Sequence, residues 1–409
     1  MAQSSEFEGD DFSNNLFSDL APLLTLFGEQ VTKQFLSMSI GWADNLLLSM
    51  GPLGVITIVV SAIRVGGVSR LKTLIGRARE SQAVAEQELL SSTSEKVCEL
   101  WDGQQIVRLM GDFEGLRTLL IDEDGKIFDI ASASAEDLVE GDFYYHYVEK
   151  LQLDHSPTPN LALNARNAIV SSRERWFWAA VGIFLQIFAI TFPGIAIYHW
   201  QWIKIGYVAD YGYPCFCIGT VCLMIGVATC GHIIEGVTTE NAIPLTDMGK
   251  RRGVRFFTLQ RARSIGDQQF PSSVIFLAEH DKILRISRLN HRHYGSLTLF
   301  AVSTAISGYI VQFIGLRALH WSATVVMLAV TLLMTIIRAW IRRGLASDLQ
   351  VVSSSSLQGH ELAWLTLHLA SEKERNTKSR REAGKVTAET TRHLSANVYN
   401  DKFFNFPQA

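Results

Sequence analysis

What this 409-residue chain lacks does most to narrow its chemistry. It has no Gly-x-Gly-x-x-Gly turn, Gly-x-Ser-x-Gly elbow, phosphate-binding loop or His-Glu-x-x-His helix, so nucleotide, hydrolase and zinc-protease chemistry have no sequence foothold. There is no Asn-x-Ser/Thr sequon, and no basic segment leads into an apolar stretch with a cleavage site, so targeting is expected to rest on the first membrane segment. Cysteine is scarce: four of the five, Cys215, Cys217, Cys222 and Cys230, sit in one apolar stretch, which does not make a secreted disulfide framework. Cys215-x-Cys217 has no second pair at a structural-zinc spacing, and His360-Glu361 with His368 is not a protease ligand set, so no metal or other cofactor is expected. The middle of each long apolar run holds no acidic residue, which argues against ion-coupled transport.

Positive charge is also missing from one side of the chain. All but three of the 37 Lys and Arg residues, the exceptions being Lys33, Lys204 and Arg317, fall in three hydrophilic segments between or after apolar runs. Those runs approach the roughly 20 residues a helix needs to cross a bilayer, and the basic bias marks the cytoplasmic face. The expected fold class is therefore mainly α: a polytopic helical membrane protein of about five transmembrane helices with a small α+β cytoplasmic lobe. The spans are 46–63, 176–198, 213–234, 296–316 and 321–337, with 296–316 and 321–337 forming a helical hairpin. The N-terminus is then outside or lumenal and the C-terminus cytoplasmic, in a plasma membrane or endomembrane. Gly51, Pro52 and Gly54 predict a kink in the first run; if 46–63 is instead re-entrant, four spans remain and the N-terminus stays inside.

Between the spans, residues 1–18 are acidic and read as disordered, while Leu23, Leu24, Phe27, Val31, Phe35 and Met38 give an amphipathic helix over 19–42. Segment 64–175 starts helical and turns strand-rich, with β-prone runs at 105–110 and 116–121 and an Asp124-Gly125 hairpin turn before Ile127-Phe128. Segment 235–295 shows alternation at Val254, Phe256 and Leu259 and again at Val274 and Phe276. The cytoplasmic tail 338–409 carries Leu362, Leu365 and Leu369 on one helical face.

No catalytic residue stands out. The polar pair with some promise is His232 and Glu235, three apart at the inner end of a span, where they could bind a cation or relay protons, or simply reach water. His291-Arg292-His293-Tyr294 reads as an interfacial anchor able to attract anionic lipid.

Two stretches, Pro22-Leu-Leu-Thr-Leu-Phe-Gly-Glu-Gln-Val-Thr-Lys-Gln-Phe-Leu36 and Gly54-Val-Ile-Thr-Ile-Val-Val-Ser-Ala-Ile-Arg-Val65, carry a resemblance. With Ile75-Gly-Arg-Ala-Arg79, Val97-Cys-Glu-Leu100 and Gly359-His-Glu-Leu-Ala-Trp364, they resemble an uncharacterised family of filamentous-fungal multi-pass membrane proteins whose members often carry C-terminal ankyrin repeats, absent here. The resemblance implies no catalytic residues; it implies at most an accessory role beside a secondary-metabolite pathway. The leading expectation is a membrane-anchored interaction or signalling protein without catalysis, the alternative a transport or channel component. Expected partners are the lipid bilayer, a cytoplasmic protein or further copies of the chain, and no nucleic acid.

Overall fold

The computed structural model describes residues 27–38, 41–111, 116–140, 160–165, 169–201, 211–277, 283–290, 292–346, 349–353, 358–375 and 378. The expected disordered N-terminus and the tail beyond 378 lie outside these residues. Along the chain, α1 (27–37), α2 (Trp42–Ser49), α3 (Val55–Gly66), α4 (Ser69–Leu74) and α5 (Gln82–Leu89) precede β1 (Val97–Trp101), β2 (Ile106–Met110), β3 (Leu116–Ile121), β4 (Ile127–Phe128) and α6 (Ile130–Ala135). Then come α7 (Ser172–Tyr198), α8 (Gly212–Gly236), β5 (Thr238–Pro244), α9 (Asp247–Arg251), β6 (Arg255–Gln260), β7 (Arg263–Ile265), β8 (Gln268–Phe270), β9 (Ser273–Leu277) and β10 (Ile283–Leu289). The last elements are α10 (Gly295–Ala318), α11 (Trp321–Ile341), β11 (Gln350–Ser353) and α12 (361–375).

Four helices, α7, α8, α10 and α11, are long and apolar enough to cross a membrane. Their packing is inverted relative to a water-soluble core. The buried positions of α7 are nearly all small, among them Ala179, Gly182, Ala189, Gly194 and Ala196, while Phe184, Ile187 and Phe188 point outward. Small residues let backbones approach where lipid tails already solvate large apolar side chains.

The span expected over 46–63 is not one helix, and among the described residues the count is four rather than five. The chain breaks at Met50–Gly54, with Gly51 and Gly54 at φ +60° and +80°, and α2 and α3 supply 8 and 12 residues, about 12 and 18 Å, each short of a crossing. Both ends of this pair lie at one end of the bundle. Gly41 and Asn45 bond to Glu235 at the close of α8, and a Cβ on Gly66 would fall 2.3 Å from Oγ1 of Thr298 at the opening of α10. Tyr294 Oη donates to the Gly236 carbonyl at 3.1 Å, so those two helix ends are level. The break itself lies deeper, where Gly51 packs on Thr331 and Met334 of α11. The pair therefore enters the bundle and returns to the end it came from. The amphipathic helix expected through Trp42 also ends earlier, because Gly41 at φ +87° starts α2 anew.

Helix pairing follows glycine, not sequence adjacency. α8 and α10 run antiparallel with interlocked small residues: added Cβ atoms on Gly219, Gly226, Gly308 and Gly315 would fall 2.2–2.4 Å from backbone nitrogens of Gln312, Ala305, Leu223 and Phe216. Gly212, Gly219 and Gly226 recur every seven residues, as do Ala301, Gly308 and Gly315, which keeps a single seam facing the partner. α7 packs instead on α11, and the re-entrant pair fills the space between, α2 against α7 and α8, α3 against α8 and α10. The hairpin expected of 296–316 and 321–337 is thus opened, since each helix takes its main partner elsewhere.

At the bundle end where α8 and α10 meet sits a strand-rich lobe. Its five-stranded antiparallel sheet runs β11-β9-β6-β3-β4, with β4 turned back from β3 at Gly125. β5 and β10 continue out of α8 and into α10 as a second pair, Thr238 opposite Leu289. The sheet draws β3 from before α7, β6 and β9 from between α8 and α10, and β11 from after α11. α12 covers one face through Leu365 and Leu369, which pack with Phe257, Leu259 and Val274.

Candidate functional site

The junction between lobe and bundle gathers the polar residues singled out from sequence. Glu235 is in the final turn of α8, and its carboxylate accepts from the Gly41 backbone N–H and from Asn45 Nδ2, both at 2.7 Å. It thereby caps α2, whose first N–H groups have no intrahelical acceptor. His232, one turn earlier, stacks on Trp42 with ring centroids 4.8 Å apart and planes 13° from parallel. Its Nδ1 is buried without a hydrogen-bond partner among the described residues. The two residues face the same elements, and each is engaged with the start of α2.

Beside them opens a cavity of about 410 Å³ between the ends of α1, α5 and α8 and the strands β5 and β10. Its walls are mostly polar, including Ser37, His232, Glu235, Glu240, Asn290 and Arg292. Glu240 is paired with Arg285 at 2.8 Å.

Behind the cavity, charge is locked away. Asp44 is fully buried, with its Oδ2 3.2 Å from Arg342 and 3.4 Å from Arg175, and the Arg342 guanidinium lies 4.4 Å from the centre of the Phe35 ring. One carboxylate thus ties α2 to the lobe ends of α7 and α11. A single buried charge would be costly, but two guanidinium partners and the ring compensate it. A second cluster joins α3 to the lobe: buried Arg64 bonds to Glu80 at 2.7 Å and to Glu88 at 2.5 Å, and Glu88 also meets Lys33 of α1 at 3.2 Å. The hydrogen bond from Arg64, with lesser help from Lys33, holds the Glu88 carboxyl down at about 2. Glu86 is the opposite case: burial raises its carboxyl, although Ser94 and Ser92 donate to it at 2.8 and 2.9 Å.

The remaining sequence candidates take packing roles. The five cysteines are free thiols, and among the described residues no group of three His, Cys, Asp or Glu side chains could hold a metal ion. Glu361 accepts from Ser272 Oγ at 2.6 Å and from the Gly359 N–H at 3.0 Å, starting α12 on the sheet. His368 stacks on Trp364 at 4.7 Å. Within the bundle, Gln312 donates to Thr220 across the α8–α10 seam at 3.0 Å. Sequence reasoning missed Asp44 and Arg342; the signal was a lone acid bordering an apolar run and arginines bordering another.

No family model, curated protein or solved structure matches this chain.

Proposed function

We propose that this is a membrane-anchored interaction protein without catalysis, its lobe in the cytoplasm as a docking platform. The observation that carries this reading is the composite sheet. Strands from three segments separated by membrane-length helices hydrogen-bond to one another, so all three stand on one side of the bilayer and form one surface. The basic bias of those segments supports a cytoplasmic lobe. Lys33 on Glu88 supports placing the end of α1 on the same side. The α8–α10 seam, closed by backbone contact, supports a static anchor over a conduit. The resemblance to fungal membrane proteins fits an accessory role beside a biosynthetic pathway.

The test is a deletion strain compared with its parent by untargeted profiling of small molecules, inside the cells and in the medium. The reading predicts that no compound accumulates inside while falling outside. Such an accumulation, reversed by the intact gene, overturns it in favour of transport.

A further inference from the structure

The cavity at the lobe–bundle junction holds two charges of opposite sign that do not pair with each other. Glu235 accepts only from neutral donors, Gly41 N–H and Asn45 Nδ2, among the described residues. Arg292, on the same wall where β10 gives way to α10, is exposed and has no carboxylate within ion-pair distance among the described residues. Glu240 is already neutralised by Arg285. At about 410 Å³ the space is within the roughly 300–1,000 Å³ of small-molecule sites.

We propose that this cavity binds an ammonium–phosphate zwitterion, the phosphate on Arg292 and the ammonium on Glu235, with the Asn290 amide on the same wall available for the remaining polar atoms. A plain anion would be opposed by Glu235 and a plain cation by Arg292, whereas a zwitterion answers both and adds no net charge. An aminophospholipid headgroup has this chemistry, and the cavity stands at headgroup depth: Trp42, 57 % exposed against His232, and Trp176, 53 % exposed on α7, mark the aromatic level where the apolar helix faces end. Free phosphoethanolamine is the water-soluble source of the same chemistry. A choline headgroup is discriminated against, because its quaternary nitrogen has no N–H to give Glu235.

The full chain is purified in mixed micelles with equimolar phosphatidylethanolamine, phosphatidylcholine and phosphatidylglycerol, and the retained lipid is read by native mass spectrometry. The proposal predicts several-fold retention of phosphatidylethanolamine over the other two, and a several-fold drop in the amount of it retained by Arg292→Gln, whose exposed position leaves folding intact by circular dichroism. Glu235→Gln, checked in the same way, lowers the ethanolamine preference over choline. A second arm titrates phosphoethanolamine into delipidated protein: an Arg292-dependent rise in Tm without lipid preference assigns the site to the soluble source. Absence of preference and of Tm shift in the wild-type protein, or an amount of retained phosphatidylethanolamine unchanged in Arg292→Gln, overturns the proposal.

Discussion

Arg338, in the last turn of α11, donates to the backbone carbonyl of Gly51, the residue at which the re-entrant α2–α3 pair breaks. A chain that stops being helical inside a packed bundle leaves carbonyls with no helical donor, so another part of the protein must supply one. Here Arg338 supplies one, and Thr32 Oγ1 supplies a second at 2.9 Å to the Leu53 carbonyl.

The second bond gives a clean prediction. Thr32 is buried and Val has nearly its shape, so Thr32→Val keeps the packing and orphans the Leu53 carbonyl. The expected loss is about 1–3 kcal/mol, measured as a lower midpoint of denaturant unfolding in detergent. An unchanged midpoint would mean the break is satisfied in some other way.

The α8–α10 seam predicts a contrast between two glycines. A Cβ on Gly308 would sit 2.4 Å from the Leu223 nitrogen, with rigid backbone on the other side, whereas one on Gly295 meets only Val68 at 4.0 Å. Gly308→Ala should cost about 1–3 kcal/mol or more through forced helix separation. Gly295→Ala should stay within about 0.5 kcal/mol. Thermal unfolding of both variants beside the parent makes the comparison.

Acid should loosen the α3–lobe joint. Glu88 is held at about 2 in the folded chain against an ordinary value of 4.5, so the folded state favours its ionised form. Its stabilising contribution is complete above about pH 4.5 and disappears as pH falls through about 2. Its carboxylate is partly exposed, which screens the effect to a modest one. Between those pH values Tm should fall less steeply in Glu88→Gln than in the parent; parallel profiles would remove Glu88 from the joint.

Docking of α12 depends on few side chains. Leu365 is fully buried against the sheet, and truncation to Ala should cost about 2–5 kcal/mol of local packing. The expected readout is faster proteolysis after β11 with little change in bundle unfolding. Equal proteolysis rates would show that the Glu361–Ser272 and Glu372–Arg255 contacts suffice.

Local signals in the sequence carried well into the fold. Asp124-Gly125 signals a turn between Ile121 and Ile127, and the chain does reverse there from β3 to β4, with Gly125 at φ +84°. The four long runs are apolar over their whole length, so length alone identified them. What failed to show is what depends on partners distant in sequence. Gly51, Pro52 and Gly54 advertised a bend, but whether the chain kinks or reverses depends on donors at Thr32 and Arg338, far away along the chain. Helix pairing was encoded in the sevenfold spacing of Gly212, Gly219 and Gly226 and of Gly308 and Gly315, a period that hydropathy does not register. His232 and Glu235 were visible as a polar pair at a helix end, yet their roles are defined by Trp42, Gly41 and Asn45, which no spacing near residue 232 reveals.

In the proposed topology α1 and the lobe lie on one side of the membrane, with the far ends of α7 and α8 on the other. Single cysteines introduced as Gln30→Cys on α1, Arg117→Cys on β3 and His199→Cys at the far end of α7 are all at exposed positions. Sealed vesicles are treated with an impermeant maleimide before and after permeabilisation, with the parent chain as background for its own cysteines. Gln30→Cys and Arg117→Cys are expected to label together, and His199→Cys under the opposite condition. Labelling of Gln30→Cys together with His199→Cys would contradict it and restore a fifth crossing at 46–63.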